Sequence, residues 1–303
     1  MKLNAVFLIA QLLLLVPLSL AFQAPPSSPK EPSFRDDFFN RRNFIRALGG
    51  GIVSIPLALE GYARSGSLQT DVDLFDLSKL SSRNIQDITL IFHGAGGQDD
   101  NTEKLLQVLQ NKNESNHFVK IVDWSIDSAD ILKASIKGTK LGAKVGQQLV
   151  SFMKNSNDDV PRNIHIIGIS VGAFPSHQVI QEINESLDKV RRNQINLQLT
   201  LLDPFQQKAV LDIGFGKNNF GKGADYAQQI LNTDDPVPFT SDSLPNCCTK
   251  DVTSLRPDEI FGHDWPLIYY TNELEKSRDN DHPLPLGIIP KLEQRAMGST
   301  LIL

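Results

Sequence analysis

The stretch Ile164-His165-Ile166-Ile167-Gly168-Ile169-Ser170-Val171-Gly172-Ala173 decides the fold. Its first half is mainly apolar, which predicts a buried strand, and residues compatible with a helix follow. Glycines stand two positions before and two positions after Ser170, so that strand and helix can approach closely at this point. The pattern predicts a sharp strand-to-helix turn, with Ser170 at its apex and its hydroxyl projecting above a sheet.

The segments on either side of this turn alternate between strand-like and helix-like patterns. Such alternation predicts an α/β fold with a mainly parallel sheet flanked by helices. Apolar runs predict strands over residues 88–92, 118–124, 164–169, 197–202 and 226–231, and helical spacing predicts helices over 102–110, 133–154 and 174–191. We expect two polar, turn-rich stretches, 213–223 and 236–261, to cross the surface, where they could form a lid.

A serine at such a turn resembles the nucleophile of the α/β-hydrolases, in which an acid and then a histidine follow the serine along the chain. The histidine takes the serine's proton, and the acid orients the histidine. His263 lies in a loop just before a closing segment that begins at Trp265, which is where the base is expected. His177 lies two turns along the helix and is expected to be structural, while His282 lies in a C-terminal turn.

Two aspartates could orient this histidine. Asp203 follows the predicted strand 197–202, and Asp235 follows the predicted strand 226–231. Both would lie at the edge of the sheet, within reach of His263. The position of Asp203 directly at the end of its strand favours it as the acid, and Asp235 stays open as the alternative.

The negative charge of a tetrahedral intermediate requires preorganised hydrogen-bond donors. The backbone N–H of Val171, at the start of the helix, can supply one of them. The glycine-rich turn from His93 to Gly97 can supply the other from Ala95, while His93 itself is expected to make structural hydrogen bonds.

Together these residues resemble the pancreatic-lipase-like family of α/β-hydrolases. The resemblance runs from about Ile88 to Tyr270 and rests on Ile91-Phe92-His93-Gly94, Val122-Asp123-Trp124-Ser125, the turn around Ser170, and Leu202-Asp203-Pro204. Isoleucine and valine flank Ser170 where that family usually has histidine and leucine. Asp235-Pro236-Val237-Pro238 instead resembles the acid-bearing segment of fungal-type lipases, which keeps Asp235 open.

Composition excludes several other classes of protein. The net charge is −5, and the excess of acidic residues lies beyond residue 63, since the preceding part has more basic than acidic residues. An acidic domain without long basic runs argues against nucleic acid as a partner. The only cysteines, Cys247 and Cys248, are adjacent, so we expect no structural metal site and no cofactor, and a vicinal disulfide or two free thiols.

The first 63 residues have the pattern of a compound targeting leader. Residues 1–21 predict a signal peptide rather than a membrane anchor. Ala21-Phe22-Gln23-Ala24-Pro25 resembles the junction in leaders of algae with complex plastids, which makes 22–40 a transit segment. Arg41-Arg42-Asn43-Phe44-Ile45-Arg46 and the apolar run after it resemble a twin-arginine signal over 41–63. Its alternative is an amphipathic first helix.

We therefore expect one catalytic domain over residues 64–303, in the thylakoid lumen or, alternatively, secreted. The resemblance implies a serine hydrolase that cleaves carboxylic esters, a lipase or esterase acting on lipid with transient contact to a membrane surface. The twin-arginine export machinery would be its other partner. Two rival hypotheses are an acyltransferase with the same triad and a non-catalytic, hydrolase-like binding protein.

Overall fold

The computed structural model describes residues 54–71, 85–110, 116–155, 161–279 and 298–302. The chain falls into two compact units, Met1–Gly61 and Tyr62–Leu303. The predicted signal peptide, the transit segment, the twin-arginine pair and His282 lie outside the described residues. Helix α1, Ser54–Arg64, covers the end of the predicted leader and continues one residue beyond its last residue, Ala63.

Seven strands form one sheet in the second unit, in the order β2-β1-β3-β4-β5-β6-β7, and every pair is parallel. The strands are β1 (Asp87–Phe92), β2 (His117–Val122), β3 (Asn163–Ile169), β4 (Asn196–Leu202), β5 (Tyr226–Leu231), β6 (Cys248–Asp251) and β7 (Thr300–Ile302). The order reverses between β1 and β3. In open parallel sheets this switch point, at the carboxyl ends of the strands, is where ligands bind.

Helices cover both faces of the sheet. They are α2 (Asp100–Gln110), α3 (Ser125–Ser128), α4 (Ile131–Asn155), α5 (Ala173–Ser186), α6 (Lys189–Asn193), α7 (Phe215–Asn219) and α8 (Trp265–Asp279). Among the described residues, no helix has both the length and the apolar character needed to cross a bilayer.

Alternation along the buried strands produces two apolar layers. In β1, Leu90 and Phe92 pack into one layer with α4 and α5, while Ile91 faces the other layer with α2 and α8. Burial of each such side chain contributes about 1.5–3 kcal/mol. The strands are therefore held from both sides, which fixes the loops at their carboxyl ends.

Glycines on α4 let it lie directly against α5. A Cβ on Gly142 would collide with the carbonyl oxygen of Pro175, and a Cβ on Gly138 would lie 2.8 Å from the Pro175 ring. Because α5 begins just after Ser170, this close packing fixes the helix that leads away from the turn.

Two predictions about the elements need correction. The predicted strand 118–124 ends at Val122, and Trp124 instead precedes α3. The predicted helix 174–191 is two helices, because the extended backbone of Leu187 ends α5 and Asp188 caps α6 by accepting a hydrogen bond from the Arg191 N–H.

The stretches 213–223 and 236–261, expected to cross the surface, are mostly exposed or half-buried, but each also contains an element and buried residues that the sequence did not predict. The first contains α7 and the fully buried Phe220, and the second contains strand β6 and the buried Leu244. Both stretches are thus anchored to the domain at points along their length.

Candidate active site

Ser170 stands where the strand β3 turns into helix α5. Its φ is +52°, a left-handed conformation that costs a residue with a Cβ roughly 1–2 kcal/mol. Strain of this kind persists where the surrounding structure enforces it, and it is concentrated at functional sites. Ser170 is 6 % exposed, so the turn holds it almost fully buried at the carboxyl edge of the sheet.

The two flanking glycines are needed for this turn. A Cβ on Gly168 would lie 2.6 Å from Ser176 Oγ and 2.8 Å from the Gly172 carbonyl oxygen. A Cβ on Gly172 would collide with the carbonyl oxygen of Phe92, at the end of the neighbouring strand β1. The spacing seen in the sequence thus has a steric cause on both sides of Ser170.

The glycine-rich turn after β1 lies directly beside the serine. A Cβ on Gly94 would be 3.4 Å from Ser170 Cβ. Ala95, the next residue, packs partly buried against the core. The first N–H groups of a helix have no partner within it, and Val171 belongs to the single turn of 3₁₀ helix that opens at Ser170. The two predicted oxyanion donors therefore come from adjoining segments.

His93 fixes the shape of that turn. Its Nδ1 lies 2.8 Å from the Gly94 carbonyl oxygen, and its Nε2 accepts a hydrogen bond from the backbone N–H of Trp124 at 3.0 Å. The ring is fully buried, which lowers the pKa of His93 despite the nearby Asp123. A neutral ring with its proton on Nδ1 satisfies both contacts, so His93 has the structural role expected for it.

His263 contacts both candidate acids. Its Nδ1 lies 2.7 Å from Asp203 Oδ2 and 2.8 Å from Asp235 Oδ2. The two aspartates follow the neighbouring strands β4 and β5, whose carboxyl ends meet at the same edge of the sheet. Asp203 and Asp235, the two candidate acids that the sequence left open, therefore contact the same nitrogen.

The two carboxyl groups have different surroundings. Asp203 is 1 % exposed, has a positive φ of 47°, and accepts a long backbone hydrogen bond of 3.4 Å from Asn232. Asp235 accepts hydrogen bonds from the Val237 N–H at 2.9 Å and from the Thr240 hydroxyl at 2.7 Å. Asp235 is thus much better supplied with donors.

Burial and hydrogen bonding shift the pKa values of these groups in different directions. Burial raises the pKa of Asp203 well above its usual range, against the effect of His263. Burial also acts to raise the pKa of Asp235, but hydrogen bonds, led by that from His263, outweigh it and lower this pKa to about 2. Burial alone would lower the pKa of His263, but the two aspartates raise it to about 10.

The loop that carries His263 is held by a residue that the sequence analysis missed. Asn232, fully buried at the end of β5, donates a hydrogen bond of 2.8 Å from its side chain to the Gly262 carbonyl oxygen. A Cβ on Gly262 would lie 2.9 Å from that same amide nitrogen. The signal in the sequence was an Asn directly after an apolar strand, next to the two aspartates at 234 and 235.

His263 and Ser170 are not joined by a hydrogen bond among the described residues. Both contacts of the imidazole with the aspartates use Nδ1, so neither of them engages Nε2. The backbone links the two sides, since the Phe205 N–H donates to the Ser170 carbonyl oxygen at 3.1 Å, two residues beyond Asp203. Catalytic hydrogen bonds are often long before a substrate binds.

The same three side chains, Asp203, Asp235 and His263, are the group in the described part of the chain whose spacing could also hold a metal ion. Their ligand atoms lie within 4.8 Å of one another. Hydrogen bonds from the imidazole N–H to the carboxylates already account for this proximity, and those bonds need a proton on the nitrogen that a metal would occupy.

The remaining residues singled out in the sequence lie apart from this cluster. His177 is buried edge-on against Phe215 and Phe220, and burial together with nearby lysines lowers its pKa to about 4. Cys247 and Cys248 are free thiols, and Cys247 is buried. Asp234 pairs instead with Arg256, at 2.7 Å.

A comparison with protein families matches residues 68–207 of the chain to the family described as Lipase. The matched segment includes β1, the turn at Ser170 and Asp203, and it ends before Asp235 and His263. No curated protein sequence gives a match.

Two solved structures show a distant likeness. Aspergillus fumigatus lipase B is 11 % identical, with a TM-score of 0.32, over 60 % of this chain and 47 % of its own. A Xanthomonas campestris pv. campestris protein described as a hydrolase of the alpha/beta superfamily is 12 % identical, with a TM-score of 0.32, over 63 % of this chain and 98 % of its own. The chain therefore spans about half the length of the first and nearly all of the second.

The chain's own geometry identifies its fold. A parallel sheet whose order reverses between β1 and β3 carries a strained serine at a strand-to-helix turn, next to a glycine-rich loop. By this arrangement the chain has an α/β-hydrolase fold, and its residues 68–207 are similar to the family described as Lipase.

Proposed function

We propose that this protein hydrolyses carboxylic esters through an acyl-enzyme formed on Ser170. The observation that carries the proposal is the position of Ser170. Its backbone is strained at the turn, and a Cβ placed on Gly94 would lie 3.4 Å from the Cβ of Ser170. A substrate carbonyl carbon placed at the serine would bring its oxygen to the backbone donors of Ala95 and Val171. Each such donor is worth about a hundred- to a thousandfold in rate.

The proton steps use His263. Nε2 takes the proton of Ser170 as the hydroxyl attacks the ester carbon, and then gives it to the leaving alcohol as the acyl-enzyme forms. Water repeats the same steps and releases the acid. The aspartates at Nδ1 keep the ring in the tautomer that leaves Nε2 free, and they stabilise the imidazolium that forms between the two transfers.

Charge around the site favours neutral esters. The negative charges of Asp99 and Asp123 act to raise the pKa of His93. The charge of Asp99 also acts to raise the pKa of Asp264, the residue after His263. Carboxylates at the mouth of a site repel negative substrates. We therefore propose neutral lipids, or other uncharged esters, as the substrate class, reached through transient contact with a membrane surface.

Covalent labelling tests the nucleophile. We expect a fluorophosphonate probe to label the purified protein and to fail on Ser170→Ala, while Ser186→Ala, a matched control at the far end of α5, is labelled like the wild type. Far-ultraviolet circular dichroism would show that both variants fold. Labelling that survives in Ser170→Ala would refute the proposal.

Two further measurements separate the alternatives. Product analysis with an added alcohol distinguishes hydrolysis from acyl transfer, since an acyltransferase forms a new ester in place of the free acid. Treatment with a chelator tests the metal interpretation of the cluster. We expect EDTA to leave turnover unchanged, and a loss that a divalent cation restores would favour a metal site.

We further propose that residues 1–63 direct the domain to the thylakoid lumen with the help of the twin-arginine machinery, with secretion as the alternative. The motifs in the leader support this. A fluorescent protein fused to residues 1–63 should enter the lumen, and changing Arg41 and Arg42 to Lys should stop it at the last membrane. Export to the medium would favour secretion instead.

A further inference from the structure

One nitrogen of His263 contacts two carboxyl groups, although it carries only one proton to donate to them. A neutral imidazole with its proton on Nδ1 has one N–H to donate there. That N–H faces Asp203 Oδ2 at 2.7 Å and Asp235 Oδ2 at 2.8 Å. Two carboxyl oxygens therefore lie within 2.8 Å of a single nitrogen, and the ligand atoms of the three side chains all lie within 4.8 Å of one another. Carboxyl groups in such contact cannot both be ionised at low cost, so a proton between them is needed.

The surroundings decide which carboxyl group keeps the negative charge. Asp235 has two donors besides the imidazole, the Val237 N–H and the Thr240 hydroxyl. Asp203 has one, the Asn232 N–H, at the long distance of 3.4 Å, while both side chains are almost fully buried, 2 % exposed for Asp203 and 0 % for Asp235. A buried charge without donors is expensive, whereas a buried neutral carboxyl group is much less so.

We propose that the two acids share one proton: Asp203 is protonated and donates to Asp235, and ionised Asp235 accepts the Nδ1 proton of His263. Asp235 is then the charge that stabilises the imidazolium, and Asp203 is a positioning residue that acts through it. The inference rests on the proposed function, because it divides the roles within the same relay. The pKa of Asp203 is raised by burial, and hydrogen bonds lower that of Asp235, which agrees with this division.

The shared proton also explains how His263 could act as a base. With two ionised partners the imidazole would hold its second proton too strongly, and a base works best when its pKa is close to the working pH. A proton on Asp203 removes one of the two negative charges. It stays in place during turnover, while the proton of Ser170 passes to Nε2 and from there to the leaving alcohol.

Single amide substitutions distinguish the two acids. Asp203→Asn should keep most of the activity, because the amide can donate as the protonated carboxyl does, and Asn tolerates a φ of 47°. Asp235→Asn removes the charge, and loss of the ionised acid in a catalytic triad costs up to about 10⁴-fold. We expect kcat/KM to fall at least about tenfold further in Asp235→Asn than in Asp203→Asn. The exposed neighbour Asp234, changed to Asn, is the matched control and should behave like the wild type.

Infrared spectroscopy tests the proton without using activity. In Ser170→Ala protein at neutral pH, we expect a carbonyl band of a protonated, buried carboxyl group that shifts in D₂O and disappears when Asp203→Asn is added. Absence of this band, or equal or reversed losses in the two amide variants, would overturn the shared proton. If one variant fails to fold, the infrared comparison with the other decides. Failure of the proposed function would appear separately, as labelling that does not depend on Ser170.

Discussion

Gly94 and Ser170 face each other across the gap between strands β1 and β3, so closely that a Cβ on the glycine would touch the Cβ of the serine at 3.4 Å. This is an ordinary van der Waals distance, and the nearest backbone atom, the Ile169 carbonyl oxygen, would be 3.6 Å away. A methyl group therefore fits without moving the fold, but it occupies space beside Ser170, the proposed nucleophile.

We expect Gly94→Ala to lower kcat/KM for esters about ten- to a hundredfold, while the melting temperature changes little, because a small displacement of a reacting group can cost about a hundredfold in rate. Gly94→Leu should abolish turnover. Gly214→Ala is the control, since a Cβ there would meet only the end of the Asn218 side chain, at 3.2 Å. If Gly94→Leu hydrolyses esters as fast as the wild type, the reacting carbon does not lie between these two residues.

The contact between Gly94 and Ser170 also shows what the sequence could predict. The glycines around Ser170 and the glycine-rich turn at 93–97 are local patterns with a local steric cause, so the turn, strands β1, β3, β4 and β5, and helices α2 and α4 agree with the prediction closely. The closeness of the glycine-rich turn at 93–97 to Ser170 follows because the neighbouring parallel strands β1 and β3 end at the same edge of the sheet.

Other features depend on tertiary contacts that no local pattern records. Strand β6, Cys248–Asp251, has no apolar run and is stabilised by pairing with β5, so its sequence has the composition of a loop. The sequence placed Asp203 and Asp235 at the ends of neighbouring strands, but not on one nitrogen. That contact depends on where the loop of His263 lies, and Asn232 donates one of the hydrogen bonds that hold this loop.

The pKa of His263 makes the reaction depend on pH in a definite direction. His263 must be neutral to take the proton of Ser170, and its carboxyl partners raise its pKa above the ordinary 6.5. Activity should therefore fall as pH decreases through a value above 6.5, since the imidazole becomes protonated. Kcat/KM measured from pH 5 to 10 on a neutral ester gives this acidic limb.

Removing Asp235, the charged partner of His263, should shift the acidic limb of the pH profile. In Asp235→Asn one negative charge is lost, so the imidazolium is less stable and the residual activity should persist to lower pH than in the wild type. Asp234→Asn should leave the limb in place, because Asp234 pairs with Arg256 rather than with His263. A limb below pH 6.5 in the wild type would mean that the carboxyl groups do not support the charge of the base.

The hydrogen bond from Asn232 to Gly262 predicts a change in rate without a change in binding. Asn232→Asp replaces the donor by a carboxylate that faces the Gly262 carbonyl oxygen and the neighbouring acids, so the loop of His263 should move. We expect kcat to fall about tenfold or more, with KM nearly constant, since a misplaced base affects the chemical step. Stopped-assay kinetics on a short-chain ester would measure this, with Asn246→Asp in the second half of the domain as the control. An unchanged kcat would show that the loop is held by other contacts.

A buried ion pair between α4 and α3 predicts a change in stability alone. Lys137 Nζ on α4 lies 2.6 Å from Asp127 Oδ1, and the side chain of Asp127 is fully buried. Asp127 Oδ2 also accepts backbone hydrogen bonds from Gln69 and Thr70, which ties residues 69–70 to the domain. Removing one partner of a buried pair leaves an uncompensated charge and costs about 3–5 kcal/mol.

We therefore expect Lys137→Met to lower the free energy of unfolding by about 3 kcal/mol, and Lys137→Met with Asp127→Asn to cost less than the sum of the two single changes. Burial acts against the charge of Asp127, but the hydrogen bonds to it lower its pKa overall, so its contribution is present at neutral pH and is lost as pH falls below the usual range of an aspartate. Urea unfolding at pH 7 and pH 3 would measure both effects, with exposed Lys144→Met as the control. Equal destabilisation by Lys137→Met at the two pH values would show that the methylene chain of the lysine, rather than its charge, stabilises the fold.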